Sequence, residues 1–194
     1  MLQQSDFIEQ LKGGDEGAFK KLVEEWQDMV YNTAMGIVQN QDDADDITQN
    51  VFVQVYQSIS SFKGESKLST WLYRITLSKA LDHEKKWKSK KRFAVIQSLF
   101  GGPGDDALHP VEFEHPGVQL EKKERAGELF AALKLIPDKQ RIAFTLHKME
   151  GQSYQEIAEI MNTSLYAVES LMVRAKNSLR KKLEKYYRDN IGGH

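Results

Sequence analysis

The chain has 194 residues, of which 40% are hydrophobic and 28% are charged, enough for one medium domain or two small ones. It has no cysteine, which excludes a disulfide scaffold, a thiolate zinc site and a cysteine nucleophile. No apolar run approaches the roughly 20 residues of a membrane helix, and the N-terminus lacks the basic-then-apolar pattern of a signal peptide. We therefore expect a cytoplasmic protein without membrane insertion.

Amphipathic helices are predicted throughout the first half of the chain. Apolar residues recur at three- and four-residue steps over 19–38, which is the period of a helix with one buried face. The pattern repeats over 47–59, and after a polar loop at 60–67 a third helix begins near Trp71 and runs into a basic stretch. No strand-like alternation is evident, so the predicted fold class is all-α.

Proline and glycine divide the chain into two parts. Residues 99–118 hold three of the four prolines. Because proline lacks an amide donor and glycine resists ordering, this stretch predicts a linker. We expect two small helical domains joined by a flexible linker, with the first domain at 1–95, the linker at 96–120, the second domain at 121–188 and a tail at 189–194.

The second domain is predicted to contain a helix-turn-helix. One helix ends near Pro137 and another near Gly151, and Ser153 with Glu156 fits the capping box of a short third helix. A tight turn at 162–163 precedes Ser164, a candidate cap for a longer basic helix. Two helices joined in this way place the second one in the major groove of DNA. An ordinary helical hairpin with a charged face is the alternative.

Charge is unevenly distributed, although the formal net charge is only −1. Four aspartates cluster at 42–46, whereas lysine and arginine dominate 79–92 and 174–188. The two basic stretches favour contact with phosphates over solvated helix faces. The acidic cluster lacks the glycine turn and distal glutamate of a calcium loop, so we expect no metal and no other cofactor. A helix dipole and a basic protein partner account for the acids.

Aromatic and basic residues alternate between Phe62 and Trp87. Aromatic faces stack on unpaired bases, at about 1–3 kcal/mol per base, while lysine and arginine follow the phosphates. The pattern is typical of a surface that holds a nucleic-acid strand open. The alternative for Trp71 is a place in the core, since its spacing is helical, and it can serve both roles with one edge buried and one face exposed.

Three segments in this order resemble the extracytoplasmic-function group of the sigma-70 family, bacterial RNA polymerase sigma factors that keep only regions 2 and 4. Residues 42–52 resemble the region 2 helix that docks on the clamp coiled coil of the polymerase. Residues 69–75 resemble the segment beside the promoter −10 element. Residues 153–158, together with 167–170 and 174–176, are similar to the region 4 helix-turn-helix that reads the −35 element.

The resemblance implies a non-enzymatic factor that binds the clamp coiled coil and flap of core RNA polymerase, reads −35 duplex and opens the −10 element of promoter DNA. An anti-sigma factor is a common further partner in this group. The implied polymerase-binding residues are Asp42, Asp45, Asp46, Gln49, Asn50 and Phe52. The implied −10 residues are Phe62, Lys63, Trp71, Arg74, Ser78, Lys79, Lys86 and Arg92. The implied −35 residues are Ser164, Tyr166, Ala167, Glu169, Ser170, Arg174 and Lys176.

Two positions depart from the family pattern. Ser78 stands where many relatives have an asparagine implicated in −10 contact. Glu169 stands where the recognition helix often has lysine, and a glutamate there can accept a hydrogen bond from the amino group of cytosine. These substitutions predict altered promoter specificity with the function retained.

Three other classes of function stay open. A classical helix-turn-helix regulator would bind duplex DNA tightly without polymerase, and it would leave the aromatic and basic stretch of the first domain unexplained. An enzyme would need a nucleophile–base pair or metal-ligand spacing, whereas the five histidines are scattered. A sequestering module would bind polymerase or another sigma factor without melting promoters.

Overall fold

The computed structural model describes residues 4–99 and 120–191. Within these two ranges the chain forms α-helices and one short 3-10 helix, and it forms no strand, in agreement with the predicted fold class. No helix in these ranges is long and apolar enough to cross a membrane. The helices are α1 Gln4–Lys12, α2 Glu16–Val38, α3 Gln41–Ser58, the 3-10 helix Ile59–Ser61, α4 Leu68–Leu99, α5 Leu120–Lys134, α6 Asp138–Lys148, α7 Tyr154–Ile160 and α8 Leu165–Ile191.

Side-chain caps fix the starts of the first long helices. The Asp15 carboxylate accepts a hydrogen bond from the backbone N–H of Ala18 at 2.7 Å, so α2 begins directly after it. Gln39 ends α2 in the left-handed conformation, with φ of 55°. The side chain of Asn40 then accepts from the N–H of Asp43 at 2.9 Å and starts α3. The first turn of α3 carries two acids of the aspartate cluster, where the helix dipole stabilises them.

The helix-turn-helix is formed by α7 and α8, as the sequence predicts. Ser153 and Glu156 make a reciprocal capping box at the start of α7. Asn162 takes a positive φ of 49° in the turn, a conformation that asparagine tolerates better than most residues. The Ser164 hydroxyl accepts from the N–H of Ala167 at 3.2 Å and caps α8. All three local predictions for this segment are confirmed.

One large hydrophobic core joins the two groups of helices. It combines buried residues of α2, α3 and α4, such as Leu22, Val51 and Leu72, with buried residues of α6, α7 and α8, such as Leu146 and Met172. A smaller cluster lies between α5 and α8. The sequence predicts two helical domains but not that they share a core.

The helix bounds differ in detail from the predicted domain bounds. Helix α4 continues to Leu99, past the expected boundary at 95, and α8 continues to Ile191, into the expected tail. Most of the predicted linker at 96–120 lies outside the described residues. Helix α1, which the periodicity does not reveal, packs Leu11 into the core.

Candidate nucleic-acid and polymerase interfaces

The first turns of α8 present a polar face, here called the recognition face: Tyr166, Glu169, Ser170, Val173, Arg174 and Lys176. Val168 and Met172 point into the core and leave these neighbours outward. Tyr166 is 77% exposed and Val173 is 60% exposed, while Glu169, Arg174 and Lys176 are exposed and Ser170 is partly so. The face combines hydrogen-bonding groups, two cations and apolar surface. In DNA-binding proteins, groups of these three kinds contact base edges, phosphates and thymine methyl groups.

Ser164 and Ala167, which the resemblance also implies for the −35 element, are not part of the recognition face. The Ser164 hydroxyl is used as the cap of α8, although its side chain stays exposed. Ala167 is only partly exposed. Both lie at the start of α8.

The N-terminal half of α4, here called the α4 face, carries Trp71, Arg74, Ser78 and Lys79. Trp71 is partly buried, and its ring packs against Phe62 with centroids 5.1 Å apart. Ser78 is exposed, and the Lys79 ammonium donates to the side-chain oxygen of Gln54 at 3.4 Å. Trp71 therefore combines core packing with an accessible surface, as the sequence reading allowed.

Phe62 differs from the expectation for a −10 residue. Only 5% of it is exposed, because it packs beneath Trp71 as part of the large core. Its side chain thus supports the α4 face and is not offered to DNA in this conformation. Lys63 and Lys86 are exposed, whereas the side chain of Arg92 lies outside the described part of the structure.

Helix α7 and the turn before it contact the α4 face at Arg74, which stays exposed, and at its buried neighbour Tyr73. The Arg74 guanidinium donates to the backbone oxygens of Glu159, at 2.6 Å, and Ile160, at 3.4 Å. The Tyr73 hydroxyl donates to a Glu150 carboxylate oxygen at 3.3 Å and accepts from the Gln152 amide at 3.1 Å. Sequence reasoning found Arg74 but no signal for these partners.

The same contact perturbs two protonation equilibria. Burial is the main reason that the pKa of Glu150 rises from 4.5 to about 7, and the hydrogen bond from Tyr73 lowers it in part. Burial also raises the pKa of the Tyr73 phenol, and the nearby charge of Glu150 adds to that increase. Both groups therefore favour their neutral forms where α4 meets the α6–α7 turn.

Helix α3 presents the acids implied for polymerase binding, here called the α3 face: Asp42, Asp45, Asp46, Gln49 and Asn50. All five are exposed. The Asn50 amide donates to the backbone oxygen of Asp46 at 2.7 Å, which orders this part of the surface. The α3 face is thus open to a basic partner.

Phe52 does not belong to that surface. It is only 7% exposed and lies in the large core, which agrees with its place in the apolar periodicity of α3. Its neighbour Val53, in contrast, is 54% exposed, and Tyr56 is 58% exposed. Helical spacing places Val53 four residues and Tyr56 seven residues after Gln49, next to it on the same side of the helix. Sequence reasoning identified neither Val53 nor Tyr56 as part of this surface.

The remaining aspartate of the cluster has a local partner. An Asp43 oxygen lies 3.3 Å from His83 Nε2, so α3 and α4 meet there. No group of three or more histidines, aspartates or glutamates in the described ranges could hold a metal ion.

Two sequence models of known domain families match the chain. Sigma-70 region 2 matches residues 22–92, and Sigma-70, region 4 matches residues 126–179. Their order and extents correspond to the α2–α4 and α5–α8 groups of helices.

Curated relatives align over nearly their full lengths. The chain is 28% identical over 189 residues to the RNA polymerase sigma-H factor of Pseudomonas aeruginosa, covering 96% of this chain and 97% of that protein. It is 30% identical over 187 residues to the ECF RNA polymerase sigma-E factor of Escherichia coli strain K12, covering 91% and 92%. The sigma-E factor of Haemophilus influenzae is also 30% identical, over 177 residues that cover 91% and 93%.

Two solved structures resemble the fold. CnrH, in complex with the cytosolic domain of CnrY, superposes with a TM-score of 0.65 at 21% identity, covering 92% of this chain and 96% of that one. The sigma factor RpoE from Bartonella quintana, in complex with the anti-sigma factor NepR, gives 0.59 at 22% identity, with 86% and 96% covered. At this identity the likeness concerns the fold.

Proposed function

We propose that this chain, which belongs to the extracytoplasmic-function group of the sigma-70 family, docks on core RNA polymerase, reads −35 duplex and opens the −10 element. Family membership makes it a non-enzymatic, promoter-directing factor of transcription initiation, so RNA synthesis is carried out by the polymerase. The observation that carries the finer proposal is the exposed recognition face of a capped helix-turn-helix, in the same chain as a region 2 domain. The site of action would be the cytoplasm, where polymerase and promoter DNA meet.

The α3 face is proposed to bind polymerase. Its acids are exposed and side by side, and charge of one sign on an open surface speeds association with a basic partner. Val53 and Tyr56 extend it with exposed apolar area, and burying such area supplies affinity that charge alone does not. Asp45 is exposed, and Asp42 three residues before it and Gln49 four residues after it lie on the same side of the helix, so a reversed charge at Asp45 should weaken docking strongly.

The recognition face is proposed to read the −35 element. Arg174 and Lys176 would hold phosphates, which sets the register without reading sequence. Glu169 would accept from the amino group of a cytosine, and Tyr166 and Val173 would contact base edges or methyl groups. Because the Glu169 carboxylate repels phosphates, it lowers the affinity for DNA of any sequence and favours a site with a cytosine amino group opposite it.

The α4 face is proposed to hold the opened −10 strand. Trp71 offers an aromatic surface for stacking, and Lys63, Arg74 and, about four turns farther along α4, Lys86 are cations that can follow the backbone. Stacking contributes about 1–3 kcal/mol per base, comparable to the few kcal/mol that unstacking or unpairing a base costs. Phe62 would act beneath this surface by fixing the ring of Trp71.

Run-off transcription tests this proposal. Fragmented genomic DNA is transcribed by bacterial core polymerase with and without the chain, and we expect discrete transcripts that require it. Asp45→Lys should abolish these transcripts together with core binding, because it places a cation in an acidic docking surface. Glu25→Lys is the matched control, since Glu25 is an exposed acid of α2 outside the α3 face.

Different failures separate the alternatives. Unchanged core affinity of Asp45→Lys would refute the docking assignment. Core binding without transcripts would favour a sequestering module. Tight binding to duplex DNA without any core binding would favour a regulator that acts alone.

A further inference from the structure

Two aromatic rings meet at the edge of the α3 face. The ring centroids of Phe19 in α2 and Tyr56 in α3 are 5.2 Å apart, and the ring planes lie at 80° to each other. This edge-to-face arrangement is favoured because the positive edge of one ring meets the negative face of the other. The contact therefore restricts the side chain of Tyr56 on the surface of the protein.

Tyr56 stays exposed although it has this partner. More than half of Tyr56 and of its neighbour Val53 is exposed, whereas Val51 and Val55 of the same helix are fully buried. Helix α3 thus fills the core without Tyr56. Tyrosine is enriched where proteins bind one another, so an ordered and exposed tyrosine ring is typical of a contact surface.

The register of α3 aligns these apolar groups with its acids. Asp45, Gln49, Val53 and Tyr56 follow one another at steps of three or four residues, so their side chains share one side of the helix. At 1.5 Å per residue, the row from Asp45 to Tyr56 spans about 16 Å. The α3 face therefore continues from an acidic end into an apolar end.

Phe19 is held in place by the start of its own helix. The Asp15 carboxylate caps α2, and the backbone oxygen of Asp15 accepts from the N–H of Phe19 at 3.0 Å. Its neighbours Ala18 and Leu22 are buried in the large core, and Phe19 packs against that core while partly buried itself. The first turns of α2 thus provide a rigid support for the ring of Tyr56.

Phe19 lies outside the segments that point to polymerase docking. The residues that the family resemblance implies for docking all belong to 42–52, and the Sigma-70 region 2 model matches residues 22–92. Phe19 precedes both ranges. Its place beside Tyr56 follows from the packing of α2 against α3, which neither the motif nor the family model reports.

We propose that Tyr56 is an anchor of polymerase docking and that Phe19 is its positioning residue, which holds the Tyr56 ring in the conformation that the polymerase binds. The partner is inferred from continuity, because Tyr56 lies in the same row of side chains as the acids of the α3 face. The matching polymerase surface has cations opposite Asp45 and an apolar pocket opposite Tyr56 and Val53. This inference rests on the proposed docking of the α3 face.

The role of Phe19 is one of preorganisation. A side chain that is already ordered loses less conformational freedom when a partner binds it. Phe19 therefore contributes to affinity through Tyr56, without contact between Phe19 and the polymerase.

Binding to immobilised core polymerase tests both roles. Tyr56→Ala removes the anchor, and its affinity should fall about thirtyfold, as for a central aromatic contact. Phe19→Leu keeps an apolar side chain against the core but removes the ring, so its affinity should fall by about threefold to tenfold, the range of an aromatic pair. Phe144→Leu is the matched control, since Phe144 is also partly buried against the core but lies in α6. Its affinity should equal that of the parent chain.

The double variant separates positioning from a merely structural role. If Phe19 acts through Tyr56, then Phe19→Leu has no further effect once Tyr56 is replaced by alanine, and the two effects are not additive. A structural role would instead lower the affinity by the same factor in both backgrounds, together with the melting temperature. The effect of Tyr56→Ala should persist at high salt, because the contact is apolar, whereas that of Asp45→Lys should shrink as salt screens the charges.

The ring contact is measured in the free chain, without polymerase. The ring-proton resonances of Tyr56, assigned by their loss in Tyr56→Ala, should shift in Phe19→Leu because the ring current of Phe19 acts on them. They should keep their positions in Phe144→Leu.

Four results would overturn the inference. Unchanged Tyr56 resonances in Phe19→Leu would mean that the two rings are apart in solution. Parent-like binding by Tyr56→Ala, with binding lost in Asp45→Lys, would place the apolar end outside an otherwise valid docking surface. Equal effects of Phe19→Leu in both backgrounds would exclude positioning. A dimer of the free chain that Tyr56→Ala dissociates, with unchanged core affinity, would assign the apolar end to a second copy.

The proposed function fails in a different way. If Asp45→Lys and Tyr56→Ala both bind core polymerase like the parent chain, the α3 face as a whole is not the docking surface. The resonances of Tyr56 report on its contact with Phe19 in either case.

Discussion

Glu150 gives the fold a dependence on pH that a single substitution can remove. Burial raises its pKa from 4.5 to about 7. A carboxyl with a raised pKa stabilises the folded state when protonated, so this contribution is complete below about pH 4.5 and is lost as the pH rises through about 7. The melting temperature should fall across that range. Glu150→Gln stays neutral and can still accept from Tyr73, so its melting temperature should fall less, as measured by circular dichroism at constant ionic strength.

The contribution of Glu150 is the difference between the parent and Glu150→Gln in how the melting temperature changes with pH. Histidines also change charge in this pH range, but they contribute equally to the parent and to the variant. Glu25→Gln, which neutralises an exposed acid of α2, controls for net charge. If the parent and Glu150→Gln gave parallel curves, the perturbation of Glu150 would be disproved.

A capping box stabilises the short helix α7. Helix α7 has seven residues, too few to be stable alone. The Ser153 hydroxyl accepts from the N–H of Glu156 at 3.2 Å, and the Glu156 carboxylate accepts from the N–H of Ser153 at 3.0 Å. These bonds to Ser153 are the main cause of a lowered pKa at Glu156. Ser153→Ala should cost about 1 kcal/mol of unfolding free energy in urea titrations.

A serine without a capping role separates this effect from serine loss in general. Ser178→Ala, inside α8, should change the unfolding free energy by no more than about 0.5 kcal/mol. Equal losses for the two variants would argue against the capping box as the source of stability.

Local signals explain why some elements were predictable and others were not. The caps at Ser153 and Ser164 and the turn at Asn162 follow from the chemistry of neighbouring residues, and the long apolar periods located α2 and α3. Helix α1 is only nine residues long and depends on packing of Leu11 into the core, which a sequence period does not report. Phe52 is buried, as the apolar periodicity of α3 indicates, whereas the family resemblance had implied that it contacts the polymerase.

For the whole molecule, the contact between the two regions was beyond sequence reasoning. The Arg141 guanidinium in α6 donates to the Glu84 carboxylate in α4 at 3.0 Å. The two residues are 57 positions apart, with the predicted linker between them, and no local rule pairs residues across such a distance. Gly36 lies inside α2, where glycine is usually mildly destabilising, and only the structure shows why it is needed: an added Cβ would lie 2.4 Å from the Thr145 methyl carbon in α6. Three surfaces could be predicted from the sequence, but not the contact that α7 makes with one of them at Arg74.

The α3 face stays exposed while α4 and α7 are in contact, so docking and initiation can be tested separately. A chain with α4 and α7 cross-linked should still bind core polymerase, because the acids of α3 remain accessible. It should not open a promoter, because α7 then stays against the α4 face that is proposed to hold the −10 strand. The Lys67 ammonium lies 3.7 Å from a Glu156 carboxylate oxygen, so Lys67→Cys with Glu156→Cys places two thiols on opposite sides of this contact. A short reducible cross-linker between them would hold α4 and α7 together. We expect unchanged core affinity, loss of run-off transcripts, and their return on reduction. Lys67→Cys alone, treated with the same reagent, controls for modification of the loop. Full transcription by the cross-linked chain would show that initiation does not require the regions to part, whereas loss of core binding on cross-linking would show that docking requires it.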